Sequence, residues 1–331
     1  MSHSNIAIFV PHLGCKCRCS FCDQNSITNE NTAPNADDIH NAVLIAKKSK
    51  KYNSETTQIA FFGGSFTAIE RDYMVSLLQA AYVHIKNGDV SGIRISTRPD
   101  YIDNEVLDIL KKYNVTSIEL GAQSMDDYVL KANNRGHSSS DVIRASKLIK
   151  KYNFSLGLQM MTGLYSSTYD KDIYTAHKFI ELSPDTVRIY PTVIMKETEL
   201  ANLYLSGKFV PYTLEESVDL CSRLIIMFEK ADINIIRLGL HYSDSLVKNS
   251  LGNNYHPAFK ELCENRIYYN SFIEKTSTVD KAKNFTVYIN EKSLSKFYGQ
   301  KKSNLKSFSE MGYTFETKFD NTLEKYDLYI K

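Results

Sequence analysis

Short apolar runs alternate along the chain with longer stretches that carry apolar side chains at helical spacing. The runs predict buried strands at 58–62, 92–97, 117–121, 154–161, 186–190 and 233–240, after a first apolar run at 6–10. The stretches between them predict helices at 70–87, 104–113, 140–152, 171–182 and 214–230. Repeated strand–helix units indicate parallel strands with helices outside. With about six such units, we expect an α/β fold built on a partial (β/α)6, TIM-like barrel rather than an open sheet.

The pattern changes after residue 245. A helical stretch starts at Tyr255 and ends near Tyr269, and strands are predicted at 285–289, 313–317 and 326–330. Two short helices separate the first two of these strands. We therefore divide the chain into a barrel domain at 1–245 and a small α+β unit at 246–331.

The composition is that of an ordinary globular protein. Of the 331 residues, 43% are hydrophobic and 24% charged, and the net charge of +2 points to no particular partner. No apolar run approaches the roughly 18 residues that a membrane span needs, and the N-terminus does not read as a secretory signal. We expect a cytoplasmic protein with reduced thiols, so that clustered cysteines indicate metal binding or redox chemistry.

Four of the six cysteines lie within eight positions, at Cys15, Cys17, Cys19 and Cys22. Zinc would need four tetrahedral ligands, usually as two pairs from separate loops, and no second pair lies nearby. An iron–sulfur cluster takes several thiolates from one tight loop. Cys15, Cys19 and Cys22 fit this need, because three thiolates hold three corners of a four-iron cluster and leave one iron open. The spacing favours a cluster, and zinc stays an alternative.

Polar residues stand at or near the ends of the predicted strands, where barrel enzymes carry their chemistry. The candidate site residues are Gly63, Gly64, Ser65, Arg98, Glu119, Gln123, Gln159 and Arg188. Each has a purely structural alternative. The two glycines could form a tight turn, Arg98 a surface ion pair with Asp100, and Arg188 a buried pair with Glu119.

The cysteine motif resembles the signature of the radical S-adenosylmethionine superfamily. Cys15, Cys19, Phe21 and Cys22 fit its C-x3-C-x-aromatic-C pattern. This resemblance implies a [4Fe–4S] cluster on the three cysteines, with Phe21 beside it and Cys17 as a bystander. It also implies S-adenosyl-L-methionine on the open iron, an external electron donor, and a 5'-deoxyadenosyl radical that abstracts hydrogen from a substrate.

The same resemblance assigns cofactor contacts to the strand ends. The Gly-Gly element at Gly63 and Gly64 would meet the methionine amino group, with Ser65 where the superfamily often has an acid. Arg188 is a candidate for the methionyl carboxylate. The other candidates for binding the cofactor are Arg98, Glu119, Gln123 and Gln159. Of these, Glu119 and Gln123 are an acid and an amide that could bind the two hydroxyls of a nucleoside ribose.

Dispersed motifs narrow the resemblance. GGSF, STRPDYID, ELGAQSMDDYVLKANNRGH, RIYPTVIMKETEL and IIRLGLH together look like the elongator protein 3-like group, over residues 5 to 242. That group also has an acetyltransferase domain, for which residues 243 to 331 are too few. The resemblance therefore implies a radical enzyme with an unassigned substrate, for which RNA or tRNA is a candidate. It leaves the oligomeric state open.

Two alternatives remain at this point. One is the coproporphyrinogen III oxidase-like branch, including haem-handling relatives, and the other is a non-catalytic RNA-binding module with a structural metal. The second alternative draws on residues 292–306, which hold five lysines and no acid. The order of elements there resembles a KH-like RNA-binding unit, whose loop grips backbone phosphates. Lys302 stands where the second glycine of such a loop is expected.

Overall fold

The computed structural model describes residues 4–10, 18–22, 33–252, 254–277 and 284–331. The helices are α1 (Ala36–Lys47), α2 (Arg71–Lys86), α3 (Asn104–Lys112), α4 (Asp127–Ala132), α5 (Ser139–Lys151), α6 (Tyr169–Leu182), α7 (Glu199–Leu205), α8 (Leu214–Lys230), α9 (Asp244–Asn249), α10 (Phe259–Thr276), α11 (Leu294–Tyr298) and α12 (Ser303–Glu310). The strands are β1 (Ser4–Val10), β2 (Thr57–Gly63), β3 (Gly92–Thr97), β4 (Val115–Gln123), β5 (Ser155–Thr162), β6 (Thr186–Pro191), β7 (Ile194–Met195), β8 (Asn234–Leu238), β9 (Ser250–Leu251), β10 (Phe285–Ile289), β11 (Phe315–Phe319) and β12 (Leu328–Ile330).

Seven strands form one parallel sheet in the order β1-β2-β3-β4-β5-β6-β8. Apart from the step across β7, the strands follow one another in chain order, and most connections contain a helix. This arrangement confirms the predicted α/β half-barrel, and the N-terminal apolar run contributes a seventh strand. The central strands are nearly continuous apolar runs, such as the fully buried Ile59, Ala60 and Phe61 in β2, as expected for strands covered on both faces.

The chain forms two compact units. The first comprises Met1–Pro211 and Phe228–Asn253, and the second comprises Tyr212–Met227 and Asn254–Lys331. The division after residue 245 stays a prediction of the sequence. Contacts instead place the boundary after Asn253 and add most of α8 to the second unit.

The second unit has a three-stranded sheet in the order β11-β10-β12, with β10 parallel to β11 and antiparallel to β12. One face of this sheet packs on an aromatic core in which the rings of Phe272 and Phe308 stack with centroids 3.8 Å apart. Phe297 and Phe315 complete that core. The predicted small α+β unit is therefore present. In the described part of the chain, no helix combines the length and apolar character that a bilayer crossing requires.

Candidate functional site

The described part of the cysteine segment is a single turn. The backbone N–H of Cys22 donates to the carbonyl of Cys19 at 3.1 Å, and Cys15 lies outside the described residues. Ser20 fixes this turn to Asn133, through its N–H on the Asn133 carbonyl at 3.2 Å and its Oγ on Asn133 Oδ1 at 2.8 Å. Asn133 directly follows α4, the helix after β4. Two of the three predicted ligands are thereby held at the carboxyl end of the sheet.

Phe21 is held on the side of α7. It is half-buried and packs against an apolar cluster of Ile194, Leu200, Ala201 and Phe209. The carbonyl of Ser20 also accepts the N–H of Leu200 at 2.8 Å. The aromatic residue of the motif therefore anchors the turn through packing.

Arg135 contacts the cysteine turn and was not among the predicted site residues. Its Nη1 donates to Cys19 Sγ at 3.1 Å and its Nη2 donates to the carbonyl of Gly121 at 2.5 Å. The side chain is buried. The guanidinium cation beside Cys19 Sγ complements the negative charge of a metal-bound thiolate. The described donor set therefore fits the cluster that the motif implies.

His137 lies two residues after Arg135 and joins the connection between α4 and α5 to β4. Its Nε2 is 3.1 Å from the carbonyl of Ala122. Burial, followed by the charge of Arg135, lowers the pKa of His137 to about 4. The ring is therefore neutral at pH 7 and donates its Nε2 proton to the carbonyl, which is a structural role.

The glycine turn after β2 lies against the end of β1. A Cβ on Gly63, whose φ is +105°, would lie 2.6 Å from the carbonyl oxygen of Val10, so only glycine fits there. The N–H of Gly64 donates to that same oxygen at 2.8 Å. The tight turn, one of the two interpretations of these glycines, is therefore present, and the Gly64 N–H is bonded within the protein. Ser65 is buried directly after this turn.

Glu119 is shared by two buried arginines. Its Oε1 accepts from Arg94 Nη1 at 2.7 Å and from Arg188 Nη2 at 3.0 Å, and its Oε2 lies 2.7 Å from Arg188 Nε. Gly157 makes room for it, because a Cβ there would lie 2.8 Å from Glu119 Cγ. The ion pair between Arg188 and Glu119, one of the two interpretations left open, is present. Sequence reasoning missed Arg94.

Positive charge exceeds negative charge along the neighbouring strands. Arg188 on β6 is the register partner of Arg237 on β8. His241, which follows β8, has its pKa lowered by burial and then by the charges of Arg237 and Arg188. On the described strands β3, β4, β6 and β8, the arginines Arg94, Arg188 and Arg237 thus outnumber the one carboxylate, that of Glu119. Such a surplus suits an anionic ligand.

Gln123 and Gln159 lie together. The Nε2 of Gln159 donates to the Oε1 of Gln123 at 3.2 Å. The pairing of β4 with β5 shifts register between Gly121 and Gln123, and Gln123 has a φ of +69°. The regular alternation expected along β4 is therefore interrupted at its end.

Arg98 forms a two-point ion pair with Asp100, with Nε–Oδ1 at 2.9 Å and Nη2–Oδ2 at 2.8 Å. The arginine is buried, while Asp100 is partly exposed. The ion-pair interpretation is therefore right about the partner, but the arginine is not at the surface.

A buried acid that the sequence did not reveal closes the loop after β5. Asp172 accepts the N–H of Gly163 at 2.8 Å and the hydroxyl of Ser167 at 2.6 Å. Burial raises the pKa of this carboxyl to about 7. The Gly163 N–H is therefore committed to the loop itself.

A parallel half-barrel with thiols held at its carboxyl edge is the arrangement of a cofactor-dependent α/β enzyme. The family model of the radical SAM superfamily matches residues 9–179, and that of the radical SAM C-terminal domain matches residues 184–269. The chain belongs to the radical SAM superfamily and is an enzyme of that class.

Its relatives include elongator proteins. Human Elongator complex protein 3 is 29% identical over 200 residues, which cover 54% of this chain and 37% of that protein. The tRNA uridine(34) acetyltransferase of Methanocaldococcus infernus is 35% identical over 134 residues, or 39% of this chain and 24% of that protein. The solved structure of the archaeal Elp3 of M. infernus has a TM-score of 0.65 at 20% identity, covering 85% of this chain and 65% of that one. The chain thus spans well under half the length of these two curated relatives.

Proposed function

We propose that this chain is a radical S-adenosylmethionine enzyme that modifies an RNA, with tRNA as the substrate class. The observation that carries the proposal is the position of the Cys19–Cys22 turn. Ser20 ties this turn to Asn133 after α4, and Arg135 ties it to Gly121 near the end of β4. The relatives named for tRNA chemistry support the substrate class. When bound, a [4Fe–4S] cluster and S-adenosylmethionine would supply a radical that takes hydrogen from the substrate.

The residues at the strand ends would divide the binding work. Cys15, Cys19 and Cys22 would hold the cluster, and an external one-electron donor would reduce it. Arg188 would meet the methionyl carboxylate, because Glu119 offsets only part of the positive charge there. Glu119, which is bound on both oxygens, would position Arg188. The remaining predicted contacts to the cofactor are Gly63, Gly64, Ser65, Arg98, Gln123 and Gln159.

The cofactor proposal is tested by anaerobic reconstitution with iron and sulfide, followed by S-adenosylmethionine and dithionite. We expect 5'-deoxyadenosine from the unaltered chain and loss of both iron and product in Cys19→Ser and Cys22→Ser. Cys221→Ala, at a buried cysteine on α8, is the matched control and should retain both. Bound zinc without cleavage would contradict the proposal and support the RNA-binding module.

The second unit supplies the proposed RNA contact. It runs β10, α11, a four-residue loop, α12 and β11, with β10 and β11 parallel, and this order resembles a KH-like unit. The loop is Gly299 to Lys302. Lys302 stands in place of the second glycine and has a φ of +61°. Lys301 and Lys302 are both exposed, and residues 292–309 contain no acid, so this loop suits backbone phosphates.

Salt dependence tests this contact. We expect the affinity for an unmodified tRNA transcript to fall with salt, and Lys301→Gln with Lys302→Gln to reduce the log–log slope by about 1.4, at roughly 0.7 per phosphate contact. The control is Lys178→Gln with Lys318→Gln, because these lysines pair with Glu181 and Glu316. An unchanged slope in the loop variant would refute the contact.

The substrate is tested by incubating the reconstituted enzyme with tRNA and analysing the digested nucleosides by mass spectrometry. We expect a new or altered nucleoside that depends on S-adenosylmethionine and reductant. Formation of 5'-deoxyadenosine with a porphyrinogen substrate, and unaltered tRNA nucleosides, would instead support the coproporphyrinogen III oxidase-like branch.

A further inference from the structure

Arg135, in the connection between α4 and α5, contacts the cysteine turn with its guanidinium group. Arg135 is buried, and its two terminal nitrogens have separate acceptors, the sulfur of Cys19 at 3.1 Å and the carbonyl of Gly121 at 2.5 Å. Gly121 belongs to β4, the strand that also carries Glu119. One planar guanidinium therefore spans from a predicted cluster ligand to a strand of the half-barrel, which a lysine cannot reproduce because it presents a single point charge.

We propose that Arg135 is a positioning residue that tunes the reduction potential of the cluster through its hydrogen bond to Cys19 Sγ. This inference rests on the proposed function, since it needs a cluster on Cys19. Hydrogen bonds to cluster sulfurs and nearby positive charge stabilise the reduced form, which carries one more electron. Arg135 thus makes it easier for the external one-electron donor to reduce the cluster from the 2+ to the 1+ state.

A second tie separates tuning from simple anchoring. Ser20 also fixes the turn, through its hydroxyl on Asn133 Oδ1 at 2.8 Å, but it brings no charge to the sulfur. Ser20→Ala loosens the same turn and leaves the contact between Arg135 and Cys19 intact. If Arg135 only anchored the turn, Ser20→Ala and Arg135→Gln would have the same effect on the potential.

The experiment is an EPR-monitored redox titration of the reconstituted protein. We expect Arg135→Gln to lower the equilibrium constant for reduction about tenfold, which is a shift of about 59 mV to lower potential for a one-electron couple. Arg135→Lys should give a smaller shift in the same direction, since it keeps the charge but not the fork. Ser20→Ala should lose iron faster without a shift. Arg144→Gln, whose arginine on α5 donates to the carbonyl of Ile102, is the control for removing a positive charge elsewhere.

Each outcome is decisive. An unshifted potential in both Arg135 variants, with iron content equal to that of the unaltered chain, overturns the inference while the proposed function stands. Equal shifts in Ser20→Ala and Arg135→Gln also overturn it, because anchoring then explains both. If the unaltered chain binds no cluster at all, the proposed function fails, which is a distinguishable result. The thermal unfolding midpoint of each apo variant identifies any that does not fold, and Arg135→Lys then carries the test.

Discussion

Among the residues that the structure describes, each unit of this protein buries one glutamate, and the two carboxylates have different partners. Glu119 in the half-barrel is held by Arg94 and Arg188, whose side chains are only 8% and 14% exposed. Glu264 on α10 of the second unit pairs at 3.1 Å with Lys296, which is 29% exposed. Removing charge from water is costly, and a hydrated lysine avoids most of that cost. The network around Glu119 is therefore the drier of the two, and the one around Glu264 is the more hydrated.

The surroundings of the two acids support this distinction. Glu264 also accepts the hydroxyl of Tyr326 at 3.0 Å and lies 3.8 Å from Lys325, so it joins α10 to the chain just before β12. Next to it is an aromatic core that has no need of charge, in which Tyr268 and Phe297 pack edge to face. The network around Glu119 instead lies on three adjacent or near-adjacent strands of the half-barrel, β3, β4 and β6.

The largest effect is expected for Glu119→Gln. A neutral carboxamide cannot offset two buried guanidinium groups, and breaking a buried pair typically costs about 3–5 kcal/mol. Because the two units make a single two-state transition unsafe to assume, hydrogen exchange of β4 and β6 peptides is the appropriate measure. A loss of free energy of opening below about 1 kcal/mol would show that Arg94 and Arg188 reach water. The contrast between the networks of Glu119 and Glu264 would then fail.

Asp172→Asn probes a second buried acid of the half-barrel, one without a cation. The folded pKa of about 7 lies above the ordinary value of 3.8, so the protonated carboxyl contributes stability at low pH that is lost as the pH rises from 3.8 to 7. The free energy of unfolding of Asp172→Asn, relative to that of the unaltered chain, should therefore rise by about 4 kcal/mol between about pH 4 and about pH 8.

The control for this pH dependence is Asp141→Asn. Hydrogen bonds from Ser138 lower the pKa of Asp141 from its ordinary value of 3.8, so its stabilising contribution is present above that value and is lost as the pH falls. The stability difference between Asp141→Asn and the unaltered chain should thus be nearly constant between about pH 5 and about pH 8 and should change only as the pH falls below 3.8. Parallel pH curves for the two variants in thermal unfolding would refute the assignment for Asp172.

Glu264→Gln should cost about 1 kcal/mol, because the lysine partners stay hydrated and the new carboxamide oxygen can still accept from Tyr326. Exchange in α10 peptides measures the loss, under the same conditions as for Glu119→Gln. Equal losses of stability in Glu119→Gln and Glu264→Gln would show that the two glutamate networks do not differ in hydration.

Periodicity in the sequence was sufficient for the strands of the parallel sheet and for part of this network, but not for the short strands β7 and β9. A buried pair with Glu119 was the structural alternative for Arg188, and the structure contains that pair. Arg94 offered a signal that was not used, since an arginine in the middle of an apolar strand must find an anion. Arg135 gave no such signal, because it lies in a loop and its partner Cys19 is distant along the chain. Asp172 gave none because it lies on a helix, where an acid ordinarily faces solvent, although its partners Gly163 and Ser167 are close in sequence.

Helix α1 escaped prediction for a related reason. Its surface carries Leu44 and Ile45, which are 56% and 69% exposed, beside the buried Ile39 and Val43. Apolar residues on both faces obscure the helical period on which the prediction depends. Among the predicted cluster ligands, Cys19 and Cys22 are placed together, whereas Cys15 lies outside the described residues and stays a prediction.

The smallest effect is expected for the lysines around Glu264, and it tests whether that pair is as hydrated as its exposure indicates. Lys325→Met should cost at most about 0.5 kcal/mol, since its Nζ is 3.8 Å from the carboxylate and its side chain is 44% exposed. Lys296→Met should cost more, but still under about 1 kcal/mol, because its Nζ is 3.1 Å away.

Raising the salt from about 0.1 M to about 1 M shortens the screening length from about 10 Å to about 3 Å. Both lysine effects should then shrink in α10 exchange, while the cost of Glu119→Gln persists because water and ions do not enter its network. A cost above about 2 kcal/mol for Lys325→Met, insensitive to salt, would place Glu264 in the same class as Glu119.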